Sequence, residues 1–123
     1  MHSLQENILK WSFICKCKPS KDILEILVDG EEVIQCYKTV RDIAALTNKR
    51  IIIRDSQGVT GLKVDIYSIP YKSITMWSSE NVGPLDLTAE LQFCTRSGDF
   101  KIEIATKCDI REFDRIIGNE ILK

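Results

Sequence analysis

The sequence predicts a mainly β domain: about seven antiparallel strands curled into a barrel or sandwich, capped by a C-terminal helix and preceded by two N-terminal helices. Three observations carry this reading. Short β-rich runs separated by turn residues fill residues 33–104. Within them Leu87, Ala89, Leu91 and Phe93 alternate with Thr88, Glu90, Gln92 and Cys94, the period of a strand with one face buried and one wet. From Asp109 the period changes, and Ile110, Phe113, Ile117 and Ile121 recur at helical spacing with Ile116 beside them.

Taken in chain order, residues 3–15 read as a helix. Ser3 and Glu6 have the spacing of a capping box, and Leu4, Ile8, Trp11 and Cys15 share one helical face that Leu9 and Phe13 widen. Lys16, Lys18 and Pro19 close it. Ser20 caps a second helix with Ile23, Leu24, Leu27 and Val28 on its apolar side, and Asp29-Gly30 ends it. Strands are expected at residues 33–40, 43–47, 50–54, 63–69, 73–79, 86–95 and 100–104. The joints are the tight Arg41-Asp42, Asn48-Lys49, the two-glycine turn from Gln57 to Gly61, Pro70, and the Arg96-Ser97-Gly98-Asp99 hairpin. Strand twist prevents a flat sheet of this size, so the strands curl into two near-orthogonal sheets or an open barrel that the last helix plugs. Asp109 is its N-cap with Glu112 three residues on, and Gly118 weakens it slightly.

A chain of 123 residues suits one domain, here divided into an N-terminal helical extension at 1–19 and a β domain at 20–123. Its 17 basic against 18 acidic side chains supply no field for a phosphate backbone, so nucleic acid is not an expected partner. Membrane spans and a secretory leader are not expected either. Five cysteines at uneven spacing fit cytoplasmic thiols better than a disulfide framework.

Several short motifs occur in one order: Asp29-Gly30-Glu31-Glu32-Val33, Val40-Arg41-Asp42, Thr47-Asn48-Lys49-Arg50, Gln57-Gly58-Val59-Thr60-Gly61, Ser68-Ile69-Pro70-Tyr71, Ser73-Ile74, Glu80 and Asp86-Leu87. In these the chain resembles the bacterial pleckstrin-homology-like family over about residues 20–122. Pro84 and Trp77 depart from that pattern. The resemblance implies a pleckstrin-homology-like barrel, no enzymatic activity, and self-assembly into ring-shaped homo-oligomers.

Candidate sites are few. Lys38, Arg41, Lys49 and Arg50 lie where a pleckstrin-homology fold can hold phosphates, but the Arg41-Asp42 joint is too short to wrap a headgroup, and Asp29, Glu31 and Glu32 are at hand as partners. Gly58-Val59-Thr60-Gly61 has the form of a backbone-clamping loop, yet it joins strands and lacks positive charge, so it reads as a turn. Cys15 and Cys17 make half a zinc site with no second pair; His2 is the single histidine, which leaves neither a metal set nor a catalytic pair. No cofactor is expected.

The leading function is therefore a non-catalytic, self-associating interaction module. The strands at 33–47 and 73–79 are the expected pairing edges, with Met76 and Trp77 as contacts. The alternative is a module that lies on an anionic membrane surface through the first helix. That helix would present Trp11 and Phe13, and residues 1–21 carry four lysines against one glutamate.

Overall fold

A computed structural model describes residues 8–57, 63–80 and 87–123. The Ser3–Glu6 capping box, Leu4, His2, the Gly58 to Gly61 turn, Pro84 and Asp86 lie outside these residues. The elements are β1 (Leu9–Cys17), α1 (Lys21–Glu25), β2 (Val33–Thr39), β3 (Ile43–Thr47), β4 (Arg50–Gln57), β5 (Lys63–Pro70), a 3-10 turn (Tyr71–Ser73), β6 (Ile74–Ser79), β7 (Thr88–Thr95), β8 (Gly98–Ala105) and α2 (Ile110–Ile121). All seven expected strands and the C-terminal helix are present, and Asp109 Oδ1 accepts from the Arg111 and Glu112 amides at 3.1 Å each, as its cap position requires.

The first segment is a correction. Residues 9–17 form a β-strand, not a helix, so the N-terminal helical pair reduces to the single short α1. Trp11 and Phe13 stand two apart, and a strand turns both to one face. The helical reading counted the wider spacing of Ile8, Trp11 and Cys15 instead. β1 runs antiparallel to β2 on one side and parallel to β8 on the other. It thereby joins β5-β4-β3-β2 to β8-β7-β6 in a single eight-stranded curled sheet of order β5-β4-β3-β2-β1-β8-β7-β6. The expected extension at 1–19 thus contributes a central strand of that sheet.

The main core lies on the concave face, under α2. Phe13 stacks on Tyr37 at 5.2 Å, and Phe113 of α2 meets both edge-on at 5.8 and 5.7 Å. Phe93 stacks on Phe100 at 4.7 Å, and Trp11 meets Tyr67 at 5.0 Å across the curl of the sheet. A smaller core lies on the convex face, where Ile23 of α1 covers Cys36, Ile43, Ala45 and Ile52. This second layer explains the composition of β3, which is buried at every residue, and of Ile51-Ile52-Ile53: strands covered on both faces read as continuous apolar runs, not alternation.

α1 begins where Ser20 Oγ accepts from the Ile23 amide at 3.3 Å, but it ends before Leu27. The backbone groups that would extend it are captured by side chains. Arg50 Nη2 donates to the Ile26 carbonyl at 2.8 Å, and Glu31 Oε1 accepts from the Val28 amide at 3.0 Å. Gly30, at φ +77°, then makes a turn that a side chain would strain.

Candidate functional site

The four basic candidates do not converge. Lys38 and Arg41 stand near one end of β3, Lys49 and Arg50 at the other, and five strand residues span roughly 16 Å. Arg50 is fully engaged: Nε donates to Glu31 Oε2 at 2.9 Å, Nη2 to Glu31 Oε1 at 3.0 Å, and Nη1 to Ser68 Oγ at 2.8 Å. Thr47 Oγ1 adds a bond to Glu31 Oε2 at 2.7 Å. Burial alone would push the Glu31 carboxyl up, but the bonds from Arg50, Thr47 and the Val28 amide outweigh it and hold the group at about 2. Arg41 reaches Gln57 at 3.2 Å and Asp55 at 3.5 Å. Lys38 and Lys49 are exposed on separate surfaces. This arrangement fastens α1 and the β3–β4 turn together and offers no anion cradle.

The four apolar candidates divide. Trp11 and Phe13 are core residues, 7% and 1% exposed, because β1 is central in the sheet. Neither is available to a membrane or a partner, and the membrane-surface reading loses its helix over the described residues. Trp77 is half-buried: its indole Nε1 donates to Asp114 Oδ1 of α2 at 2.8 Å. Met76 next to it is 62% exposed.

Among the described residues the edge strands, paired on one side only, are β5 and β6, at opposite ends of the sheet. The expected edge at 73–79 is therefore an edge, whereas the one at 33–47 is interior: β1 covers the far side of β2, and β4 the far side of β3. The strand β5, which carries Ile66 at 46% exposure, was expected, but not as an edge. Its only signals were Lys63, Asp65 and the terminal Pro70, the charges and proline that edge strands use to discourage uncontrolled pairing. Beside β5 a cleft of about 790 Å³ opens between Tyr67 and Ile69, the start of β1, and the β7–β8 hairpin. Leu9, Trp11 and Phe100 form its apolar wall; its one charged lining residue among those described is Asp99, so it does not suit an anionic ligand.

The curled sheet with one helix across its concave face is also the arrangement of known proteins. Residues 3–121 match the bacterial PH domain family. The chain belongs to that family. This bacterial PH domain is 46% identical over 72 residues to the uncharacterized protein YjqA of Bacillus subtilis (strain 168), a match spanning 58% of each chain. It is 31% identical over 108 residues to YozO of the same organism, spanning 88% of this chain and 94% of YozO. Among solved structures it superposes on a DUF1696-family protein with a pleckstrin-homology domain from Shewanella loihica PV-4 with a TM-score of 0.79 at 31% identity, covering 87% of this chain and 96% of the other. A pleckstrin homology domain from Shewanella amazonensis SB2B gives 0.68 at 36% identity, covering 83% and 84%. The family match begins at residue 3, so it takes in β1 together with the rest of the sheet. No helix among the described residues is long and apolar enough to cross a membrane.

Proposed function

We propose that this bacterial PH domain is a non-catalytic module that assembles with copies of itself, the β6 edge of one copy pairing with the β5 edge of the next. The observation that carries this reading is the position of the two edges at opposite ends of one open sheet. Pairing between unlike edges is heterologous: it repeats from copy to copy and closes into a ring where the rotation between copies allows, as against an open filament where it does not. Pairing also satisfies the backbone groups that each edge strand leaves free. Met76 on β6 and Ile66 on β5 supply exposed apolar surface beside those edges.

The non-catalytic part is supported by the chemistry of Glu31, the one carboxylate with a strongly displaced pKa among the described residues. It is displaced downward and bonded on both oxygens, which suits a structural anchor and not proton transfer near neutral pH.

Met76→Lys and Ile66→Lys test the assembly. A lysine on an edge strand opposes pairing. Either variant is expected to reduce the light-scattering mass to that of one chain while the far-ultraviolet circular dichroism stays unchanged. An unchanged mass in both variants would contradict edge pairing.

A further inference from the structure

The convex face carries two thiols set directly across from one another. In the β1–β2 ladder Phe13 is registered with Thr39 but Cys15 with Lys38, so Ile14 is an extra residue, a β-bulge. Without the bulge, Cys17 would face the main core as Phe13 does, because the two are four residues apart in a strand. With it, the facing reverses. Cys17 is registered with Cys36 and packs against the cluster of Ile23, Cys36, Ile43, Ala45 and Ile52 beneath α1. Both thiols are free.

We propose that Cys17 and Cys36 are a reversible intrachain disulfide site whose oxidant is a small organic disulfide. Residues directly opposed in an antiparallel ladder have Cα atoms ~4.5–5.5 Å apart, inside the ~4.4–6.8 Å that a disulfide spans. Their Cβ atoms lie ~4.5–5.5 Å apart, against ~3.5–4.5 Å in a disulfide, so the strands must draw together slightly. A bond closed under that strain is readily reduced again. The movement is available because Cys17 is the last residue of β1, and residues 18–20 belong to no strand or helix.

Exposure orders the steps. Cys17 is half-buried and Cys36 is buried, so exchange begins at Cys17. Its thiolate attacks one sulfur of the small disulfide, the sulfur–sulfur bond breaks, and one small thiol leaves. Cys36 then gives up its proton and attacks the Cys17 sulfur, releasing the second small thiol. The two protein thiols are oxidised, the small disulfide is reduced to two thiols, and the two protons pass to them. Burial pushes both thiols up, Cys36 to about 11, which lowers the thiolate fraction and slows exchange at both sulfurs near neutral pH. The covalent loop would enclose α1 and Glu31, fixing the convex-face layer to the sheet.

The test uses the folded full chain and bis(2-hydroxyethyl) disulfide. After acid quench, denaturation and alkylation, the expected count of alkylated thiols falls from five to three. Trypsin is expected to release residues 17–21 joined to residues 22–38, and dithiothreitol to separate them. Cys15→Ser should keep this link and Cys17→Ser should lose it; both sites are half-buried, so folding is retained. The proposal is overturned by five alkylated thiols, by Cys17 halted as a mixed disulfide, or by a link through Cys15 or Cys108.

Discussion

Trp77 Nε1 donates to Asp114 Oδ1 at 2.8 Å and so ties the edge strand β6 to the C-terminal helix α2. The same contact turns Trp77 inward and leaves its neighbour Met76 outward. The two residues consequently have separable roles. Trp77→Phe removes the bond and part of the indole's packing, and is expected to cost about 1 to 2 kcal/mol in urea unfolding. Its assembly mass should match the parent. A loss of assembly in Trp77→Phe at concentrations where the chain stays folded would move the contact from Met76 to Trp77.

The Glu31–Arg50 pair anchors the segment between α1 and β2. Glu31→Gln leaves Arg50 facing a neutral amide and is expected to destabilise by roughly 2 to 4 kcal/mol. The pH dependence follows from a carboxyl held at about 2 in the folded chain, below its ordinary value. Between those two values the unfolded chain binds more protons, so this group's contribution is complete above about pH 5 and is lost as pH falls towards 2. Chemical denaturation at a series of pH values should show a steeper acid loss in the parent than in Glu31→Gln. Equal slopes would mean that Glu31 is not held as described.

Gly118 lies inside α2, and a methyl group there would meet Trp77 Cζ2 at 3.7 Å, an ordinary contact. Gly118→Ala is expected to raise stability by about 0.5 to 1 kcal/mol, through helix propensity and reduced freedom of the unfolded chain. Thermal unfolding reads this directly, and a lower melting temperature would show that α2 cannot admit the methyl beside Trp77.

Removal of residues 1–18 takes away β1, the strand between β2 and β8. It exposes two interior edges and deletes Trp11 and Phe13 from the core. The truncated chain is expected to lose its cooperative unfolding transition and near-ultraviolet circular dichroism. A truncated chain that folds with the parent spectrum would show that β1 is dispensable.

Much of this architecture was legible in the sequence because its signals are local. The alternation from Leu87 to Cys94 and the stripe of Phe113, Ile117 and Ile121 each fix an element by side-chain period alone. β1 was not legible, because Ile8, Trp11 and Cys15 fit a helical face while Trp11 and Phe13 fit a strand face, and only pairing with β2 and β8 decides between them. The same missing strand hid which edges are free. The early end of α1 depends on Arg50 reaching the Ile26 carbonyl from 24 residues away, a contact no local pattern reports. The Ile14 bulge that brings Cys17 opposite Cys36 is likewise a property of the ladder and not of β1 alone.

The most direct test of edge-to-edge assembly is the light-scattering mass of the full chain across a dilution series. Edge-to-edge assembly gives a defined multiple of the 14.1 kDa chain that persists on dilution. A mass of 14.1 kDa at every concentration would contradict it.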